Sequence, residues 1–577
     1  MGFRLEAWRW DKYSNECLTC GPGTSLYLSY HSSMQLAHGA TAAVAGITAH
    51  VVYFHRGEHH GSGARCLAAF GAGIAMSAIV RYAGAIGGDG QGWRGCLTWA
   101  LAMAAWFLLG LYGSLLAYRM FLHPLNRFPG PVAARVGDLW LCLQLGGHDM
   151  HRLSDRLSKR YGEFVRIGSS TLMLTHPLAV AAIHGPGSPC RKAAMYDFEQ
   201  PNRGIATRDE ALHAVRRRVW SRGFGDKALR TYEPRVAAYV HMLLGRLADA
   251  RGKPIDMARL AEAFAFDTMG DLGLGSDFGM LRDARMHEAV EQLVKGMTIM
   301  GWRLPMWLMR LLVDVAQSLV PTEATTGFLA FCYHHLDRFM VDPQRGERPS
   351  LMAPLLTYYE KQDAAERDFS ALRNDCRFII IAGSDTVAAT LAFAFFHLAK
   401  HPEHVTRLRD ELLPLRAADG TFLHQQIFDA SHLNAVINET LRLHPPASTI
   451  PRITPPQGIS IADTFIPGNM TVFSSQYALG RSEAIYLKAD DFIPERWYSR
   501  PDLIKDSAAY APFSVGHHSC LGRPLALMEM RLTLAEVLSR YDIAFAPGFD
   551  LDYFLGHVHE CMSWHIGNLD LTFTPID

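Results

Sequence analysis

The chain has 577 residues, and its 56 lysines and arginines balance its 56 aspartates and glutamates. A net charge of zero provides no field that would attract a polyanion, so a nucleic-acid-binding function is not expected. The ten cysteines are scattered along the chain, which argues against a disulfide framework. Only Cys17 and Cys20 are closely spaced, and no second Cys/His pair is placed to complete a zinc site with them.

The first 120 residues contain three long apolar segments, at 34–54, 66–86 and 95–118. The third has 24 positions without a charged residue, which is enough to cross a bilayer. No basic region precedes a short apolar core at the N-terminus, so a cleaved signal peptide is not predicted. We predict a membrane anchor over 1–120 with three spans, and one or two spans are the alternatives.

The segment that follows the anchor, 121–135, is rich in proline. Because proline stiffens an extended chain, we predict a hinge here that leads into one large domain over 136–577. Within that domain the residue pattern predicts a helix over 149–162 and two short strands at 164–167 and 171–174.

Four arginines, at positions 216, 217, 218 and 222, lie close to His213 in one predicted helical stretch. Such a cluster is most often a solvated basic face. A helix has several faces, however, so single members of the cluster can also point inward.

A mostly apolar stretch at 378–399 predicts a long helix that contains Ala382, Gly383, Asp385 and Thr386. A glycine and an acid–alcohol pair are locally unfavourable in the middle of a helix, which indicates a functional reason for their presence. The alternative is a threonine hydroxyl that bonds back to the preceding turn.

A second helix, predicted over 431–444, ends where two prolines follow it. Glu439 and Arg442 are three residues apart on this helix and can form a pair. Arg496 follows in the segment Phe492–Trp497. The alternative for the pair is a solvated surface contact, which contributes little to stability.

Cys520 lies at the end of a short segment that begins at Phe513. Gly516 and Gly522 permit a tight turn on either side of it, and a helix is predicted from about Leu521 onward. A thiolate in such a loop suits ligation of haem iron, where it favours cleavage of the O–O bond. A lone cysteine can also be a small buried apolar residue.

Taken in this order, the motifs resemble those of the cytochrome P450 family over about residues 120–577. The resemblance implies a mainly α fold with a small β region, preceded by N-terminal transmembrane helices, and haem b (iron protoporphyrin IX) as cofactor. The apolar N-terminal segments and the basic stretch at 216–224 look most like multi-span P450s of filamentous-fungal secondary metabolism, the group that includes tryprostatin B 6-hydroxylase.

The resemblance implies a role for each motif residue. Cys520 would ligate the iron, and Asp385 with Thr386 would organise water for proton delivery. A buried network would lock the fold behind the haem through Glu439, Arg442 and Arg496. Residues implied to contact the haem or to shape its loop are His213, Arg217, Arg452, Phe513, Gly516, His518 and Gly522. Residues implied to line the pocket for dioxygen and substrate are Ala382, Gly383 and Ile450.

His518 is a departure, because the family usually has arginine two residues before the cysteine. Histidine is only partly charged near neutral pH, so this contact with a haem propionate would be weaker than that of an arginine. Next to a propionate we expect the pKa of His518 to lie above its ordinary value of about 6.5.

The function implied is that of a membrane-bound monooxygenase that inserts one oxygen atom of O2 into a hydrophobic small molecule. Only 57 residues follow Cys520, so we expect electrons from a separate NADPH–cytochrome P450 reductase, with cytochrome b5 as a further candidate donor. The expected location is the endoplasmic reticulum membrane, with the catalytic domain facing the cytosol. The alternatives are a haem-thiolate isomerase or dehydratase that needs no reductase, and a non-catalytic haem-binding membrane protein.

Overall fold

The computed structural model describes residues 22–85, 92–146, 148–197, 204–319 and 327–576. Cys17 and Cys20 therefore lie outside the described residues. The chain divides into two compact units, one formed by Met1–Gly57 with Ala64–Phe121 and the other by Glu58–Gly63 with Leu122–Asp577.

Three long helices make up the first unit: α1 Pro22–Ala49, α2 Gly63–Ala85 and α3 Trp93–Ala117. Each overlaps a segment long and apolar enough to cross a membrane, as the sequence predicts. Glycine allows α1 and α3 to approach closely, because a Cβ atom on Gly110 would lie 2.0 Å from the carbonyl oxygen of Ala43. Close contact through small residues is how helices associate in lipid.

The proline-rich segment differs from the extended hinge that the sequence predicts. Pro124–Arg127 forms a single 3-10 turn. Leu125 and Phe128 are buried in a cluster with Leu172, and the backbone N–H of Arg166 donates to the carbonyl oxygen of Pro129 at 2.8 Å. The apolar residues between the prolines therefore fold this segment onto the second unit.

Helices dominate the second unit, so the predicted mainly α fold is confirmed. In chain order they are α4 Val132–Val136, α5 Leu139–Gln144, α6 Met150–Tyr161, α7 Ala179–His184, α8 Glu210–Trp220, α9 Asp226–Ala250, α10 Met257–Leu274, α11 Met280–Asp283, α12 Glu288–Gly301, α13 Met306–Leu319, α14 Gly327–Val341, α15 Ala353–Lys361, α16 Phe369–Lys400, α17 Pro402–Leu412, α18 His424–Ile427, α19 Ser431–Leu443, α20 Gln476–Gly480, α21 Arg523–Leu538 and α22 Leu551–Gly556.

The β region is small, as predicted. Its strands are β1 Phe164–Arg166, β2 Thr171–Leu174, β3 Arg191–Lys192, β4 Ile255–Asp256, β5 Arg452–Ile453, β6 Ile459–Ile461, β7 Thr464–Ile466, β8 Thr471–Ser474, β9 Tyr541–Phe545, β10 His559–Cys561, β11 Ser563–His565 and β12 Asp570–Pro575. The sheet orders are β1-β2-β8-β5-β3 and β4-β12-β9, with hairpins β6-β7 and β10-β11. The expected helix at 149–162 and strands at 164–167 and 171–174 are present as α6, β1 and β2.

Helix α16 is the centre of the second unit. The Asp368 carboxylate caps its start by accepting from the backbone N–H of Ala371 at 2.9 Å, and it ends before Pro402. Its apolar stretch is also long enough to cross a membrane, but 67% of that stretch is buried inside the protein. Because Phe393 and Phe395 are completely buried, α16 is a core helix.

A buried ionic network joins α19 to the 3-10 turn at Pro494–Trp497. The Glu439 carboxylate accepts from Arg442 Nε at 2.8 Å and Nη2 at 2.7 Å, and from Arg496 Nε at 2.9 Å. It also accepts from the indole Nε1 of Trp497 and the backbone N–H of Ile493, both at 2.9 Å. Burial by itself would raise the pKa of Glu439, but the two guanidinium groups lower it below its ordinary value.

We predict that Arg442→Ala is strongly destabilising. The substitution leaves the buried Glu439 carboxylate with one cation fewer, and breaking such a pair costs about 3–5 kcal/mol. Arg500→Ala is the matched control, because Arg500 forms a pair with Asp502 that is exposed to solvent and contributes little to stability. Thermal unfolding of both variants in detergent would measure the difference, and equal shifts in Tm would contradict the role of the network.

Candidate active site

A cavity of about 340 Å³ lies in the second unit between α16 and the loop that carries Cys520. The loop contributes Phe513 and Cys520 to the lining, and α16 contributes Ala382, Gly383 and Thr386. Apolar side chains form much of the remaining wall: Ile205, Trp220, Phe224, Met269, Phe378, Ile379, Val387 and Ile450. The residues that the sequence assigns to a dioxygen and substrate pocket therefore line one cavity.

The Cys520 loop is held by its own backbone. The N–H of Cys520 donates to the carbonyl oxygen of Phe513 at 2.8 Å. Gly516 has φ of +70°, and a Cβ atom there would lie 2.3 Å from the carbonyl oxygen of His184. A glycine is therefore required at this turn.

The Cys520 side chain is accessible from the cavity but otherwise enclosed by protein. This burial raises the pKa of the thiol, whereas the backbone N–H groups of Gly522 and Arg523 and the charge of Arg217 lower it. Burial outweighs these groups, so the pKa of the thiol is raised overall. The donors and the cation are nevertheless placed to stabilise the thiolate, which is the form that binds metal.

On α16, the Thr386 hydroxyl donates to the carbonyl oxygen of Ala382 at 2.8 Å. This bond to the preceding turn is the alternative that the sequence left open. Thr386 makes it and also lines the cavity. Gly383 also has a packing reason, because a Cβ atom there would lie 2.5 Å from the Met269 side chain.

Asp385 does not share the cavity of Thr386. It lines a separate cavity of about 490 Å³ together with Glu262 of α10, a residue that the sequence did not single out. Burial raises the pKa of Asp385 to about 6. Burial and the nearby Asp385 raise the pKa of Glu262 to about 7. The expected acid–alcohol pair is therefore split between two faces of α16.

A group of cationic and imidazole side chains also lines the cavity that contains Cys520: Lys192, His213, Arg217, Arg452 and His518. Lys192, which the sequence did not single out, is paired with Arg452 across β3 and β5. Its amino group donates to the carbonyl oxygens of Ile205 at 3.0 Å and Thr207 at 2.7 Å. Burial, with a contribution from Arg452 and Arg217, lowers the pKa of Lys192 to about 7.

These cations fit a ligand that carries negative charge. One acidic residue, Glu529, lines the cavity together with these cations. It is buried, and one of its side-chain oxygens has no hydrogen-bond partner. The buried Nε of Arg452 also has no hydrogen-bond partner. A cavity with a cysteine, apolar walls, a cluster of cations and one unsatisfied guanidinium donor matches the needs of haem, which has a metal, an apolar ring and two propionates.

The four clustered arginines, three on α8 and one in the 3-10 turn that follows it, lie in different environments. Arg217 lines the cavity and donates to the carbonyl oxygen of Ser519 at 2.8 Å and to its hydroxyl at 3.0 Å, so it also supports the Cys520 loop. Arg216 is buried and lies 3.4 Å from Asp375. Arg218 and Arg222 are exposed.

The protein's own groups act on the pKa of His518 in the direction opposite to that expected from a propionate. Burial first, and then the charges of Arg452 and Lys192, lower the pKa of His518 to about 3. Its Nδ1 lies 3.4 Å from Nε2 of His213, whose pKa burial lowers to about 4. Burial and these cationic neighbours favour the neutral form of His518, although the Glu210 carboxylate lies 3.6 Å away.

The family assignment follows from comparison with known proteins. A family model for cytochrome P450 matches residues 131–555. The chain belongs to the cytochrome P450 family. It is therefore an oxidoreductase of the monooxygenase class, and the family implies haem iron as cofactor.

Three fungal relatives refine the comparison. The cytochrome P450 monooxygenase sthD of Phaeosphaeria nodorum is 85% identical over 82% of this chain and 100% of its own length. Tryprostatin B 6-hydroxylase of Aspergillus fumigatus is 40% identical over 90% of this chain and 93% of its own length. The cytochrome P450 monooxygenase notG' of Aspergillus versicolor is 39% identical over 94% of this chain and 98% of its own length. The predicted resemblance to P450s of fungal secondary metabolism is confirmed.

We predict that Gly516→Ala prevents haem loading. The left-handed backbone alone would cost alanine about 1–3 kcal/mol, and the new methyl group would also collide with the backbone oxygen of His184. Gly522→Ala is the matched control, since a Cβ atom there would lie 3.8 Å from its nearest neighbours and the backbone has negative φ. The ratio of haem to protein should fall sharply only in Gly516→Ala, and a similar ratio in both variants would contradict the account of the loop.

Proposed function

We propose that the protein is a membrane-bound monooxygenase that binds haem b through Cys520 and inserts one atom of O2 into a hydrophobic small molecule. The observation that carries this proposal is the shared cavity of Cys520, Thr386 and the cationic cluster. When bound, the haem supplies O2 activation, and the chain supplies its electronics and the position of the substrate.

Each part of the cavity has a role in the proposal. Cys520 ligates the iron, and Phe513 keeps water from the sulfur. Arg217, Arg452 and Lys192 bind the propionates, with His213 and His518 as additional hydrogen-bonding groups. The apolar wall around Ile450 selects a hydrophobic substrate, because burying polar groups against it without partners would be unfavourable.

Proton delivery is assigned to two faces of α16. Thr386 positions water inside the haem cavity, where its hydroxyl can exchange its bond to Ala382 for one to water. Asp385 and Glu262 hold and release protons in the neighbouring cavity, since their pKa values of about 6 and about 7 lie close to neutral pH. Protons enter from the Glu262 side, and rotation of the Asp385 side chain passes them to the water that Thr386 positions.

The proposal also includes a partner and a location. Electrons come from a separate NADPH–cytochrome P450 reductase, for which the exposed Arg218 of α8 and Arg222 of the 3-10 turn that follows it are suitable docking charges. The apolar helices α1 to α3 anchor the protein in the endoplasmic reticulum membrane. Arg119 and Arg127 follow the apolar part of α3, which favours a cytosolic position for that end.

The test is a reconstituted assay with the full chain, the reductase and NADPH, using tryprostatin B as the first probe because a relative is named for acting on it. We predict that the reductase reduces the haem under CO and that any hydroxylated product takes its oxygen from labelled O2. Thr386→Ala should keep the haem spectrum but divert NADPH to peroxide.

Thr390→Ala is the matched control, because Thr390 lines the same cavity and its hydroxyl also donates to a helix carbonyl, that of Thr386, at 2.8 Å. Peroxide formed per NADPH should rise severalfold in Thr386→Ala and stay near the wild-type level in Thr390→Ala. Product formation without reductase would favour an isomerase or dehydratase. A haem that the reductase cannot reduce would favour a non-catalytic role.

A further inference from the structure

A second cluster of metal-binding side chains lies apart from the haem cavity. His404 of α17, His432 of α19 and Glu495 of the Pro494–Trp497 turn each offer one ligand atom, and these atoms all lie within 4.8 Å of one another. His404 Nδ1 is 3.8 Å from Glu495 Oε1. One ion with bonds of about 2.0–2.2 Å could reach all three after small side-chain movements. Another such group, Glu210 with His213 and His518, belongs to the haem site already described.

The two histidines carry buried ring nitrogens without a hydrogen-bond partner. These atoms are Nδ1 of His404 and Nε2 of His432, in residues that are 5% and 4% exposed. Leaving a buried polar atom unsatisfied costs about 1–3 kcal/mol, so such atoms require an explanation. The ring contacts of this cluster, including that of His404 with Phe492, account for the apolar faces of the imidazoles but not for their nitrogens.

A neighbouring hydroxyl prepares His432 as a ligand. Its Nδ1 lies 3.2 Å from the hydroxyl oxygen of Tyr498. If the Nδ1 proton is donated to that oxygen, the lone pair is on Nε2, which is the arrangement that an outer partner imposes on metal-binding histidines. Burial lowers the pKa of His432 to about 4 and also lowers the pKa of His404. Both rings are therefore neutral at pH 7, as metal binding requires.

Other charged groups around the cluster are compatible with a cation. Arg407 contacts Glu495, but its side chain is 54% exposed and can move into solvent. Glu411 accepts from the backbone N–H groups of His432 and Leu433 at 2.8 and 3.0 Å, which fixes the start of α19. Glu403 lies near His401 at 3.5 Å, at the edge of the cluster.

We propose that His404, His432 and Glu495 bind one divalent transition-metal ion, with Zn²⁺ as the preferred occupant. Two imidazoles and a carboxylate are a ligand set that suits Zn²⁺, and a water molecule would fill the fourth position. Mg²⁺ and Ca²⁺ prefer oxygen ligands and would bind poorly. The ion joins α17 and α19 to the turn that carries Arg496, so it stabilises the region behind the haem.

The experiment uses the haem-loaded full chain, purified without a histidine tag, treated with a chelator and dialysed against buffered Zn²⁺ in the micromolar range. Bound zinc per haem is measured by elemental analysis. We expect one equivalent in the wild type, its loss in the double variant His404→Gln/His432→Gln, and weaker binding in Glu495→Gln. His401→Gln, which changes a neighbouring half-buried histidine outside the triad, should retain the equivalent.

Two further measurements keep the test decisive if the double variant does not fold. Zinc X-ray absorption of the wild type should show two imidazole ligands and oxygen ligands, and Zn²⁺ should raise Tm of the wild type but not that of Glu495→Gln. Equal zinc contents in the wild type and Glu495→Gln, an equal loss in His401→Gln, or a wild type that binds no zinc would each overturn the proposal.

Discussion

The Glu439 carboxylate is buried and ionised, and it is stable there because several N–H groups donate hydrogen bonds to its two oxygens. Arg442, Arg496, Trp497 and the N–H of Ile493 all donate to its two oxygens. Desolvating a charge costs several kcal/mol unless hydrogen bonds of good geometry replace the lost water. The requirement for all of these donors fixes α19 and the Pro494–Trp497 turn relative to each other.

The effect of this network extends to the Cys520 loop through aromatic packing. The ring of Trp497 lies 4.4 Å from that of Tyr510, centroid to centroid, and the Tyr510 hydroxyl donates to the carbonyl oxygen of Asn438 at 3.2 Å. Tyr510 precedes Phe513, whose carbonyl oxygen accepts from the N–H of Cys520. A continuous set of contacts therefore connects the buried carboxylate to the sulfur. A substitution that disrupts the network should also disturb haem binding.

Local patterns explain most of what the sequence predicts well. The periodicity of α6 and α19, the apolar length of α1 to α3 and the turn residues around Cys520 act over a few residues, so they can be read from the chain directly. The different directions of Asp385 and Thr386 also follow from local geometry, because successive helix residues are about 100° apart and do not face the same way.

Other parts depend on contacts between distant segments and have no local signal. Lys192 reaches the cavity only because the two-residue strand β3 pairs with β5. Glu262 approaches Asp385 because α10 packs along α16. Trp497 has no local signal for a polar role, and its hydrogen bond to Glu439 forms only when the turn is folded against α19.

The central claim is that Cys520 is the residue through which this chain holds haem iron. The most direct measurement is the absorption spectrum of the reduced, CO-bound full chain for the wild type, Cys520→His and Cys190→Ser. Thiolate ligation predicts a red-shifted Soret band in the wild type and Cys190→Ser, and its loss in Cys520→His even where haem is retained. A red-shifted band that survives in Cys520→His would contradict the account.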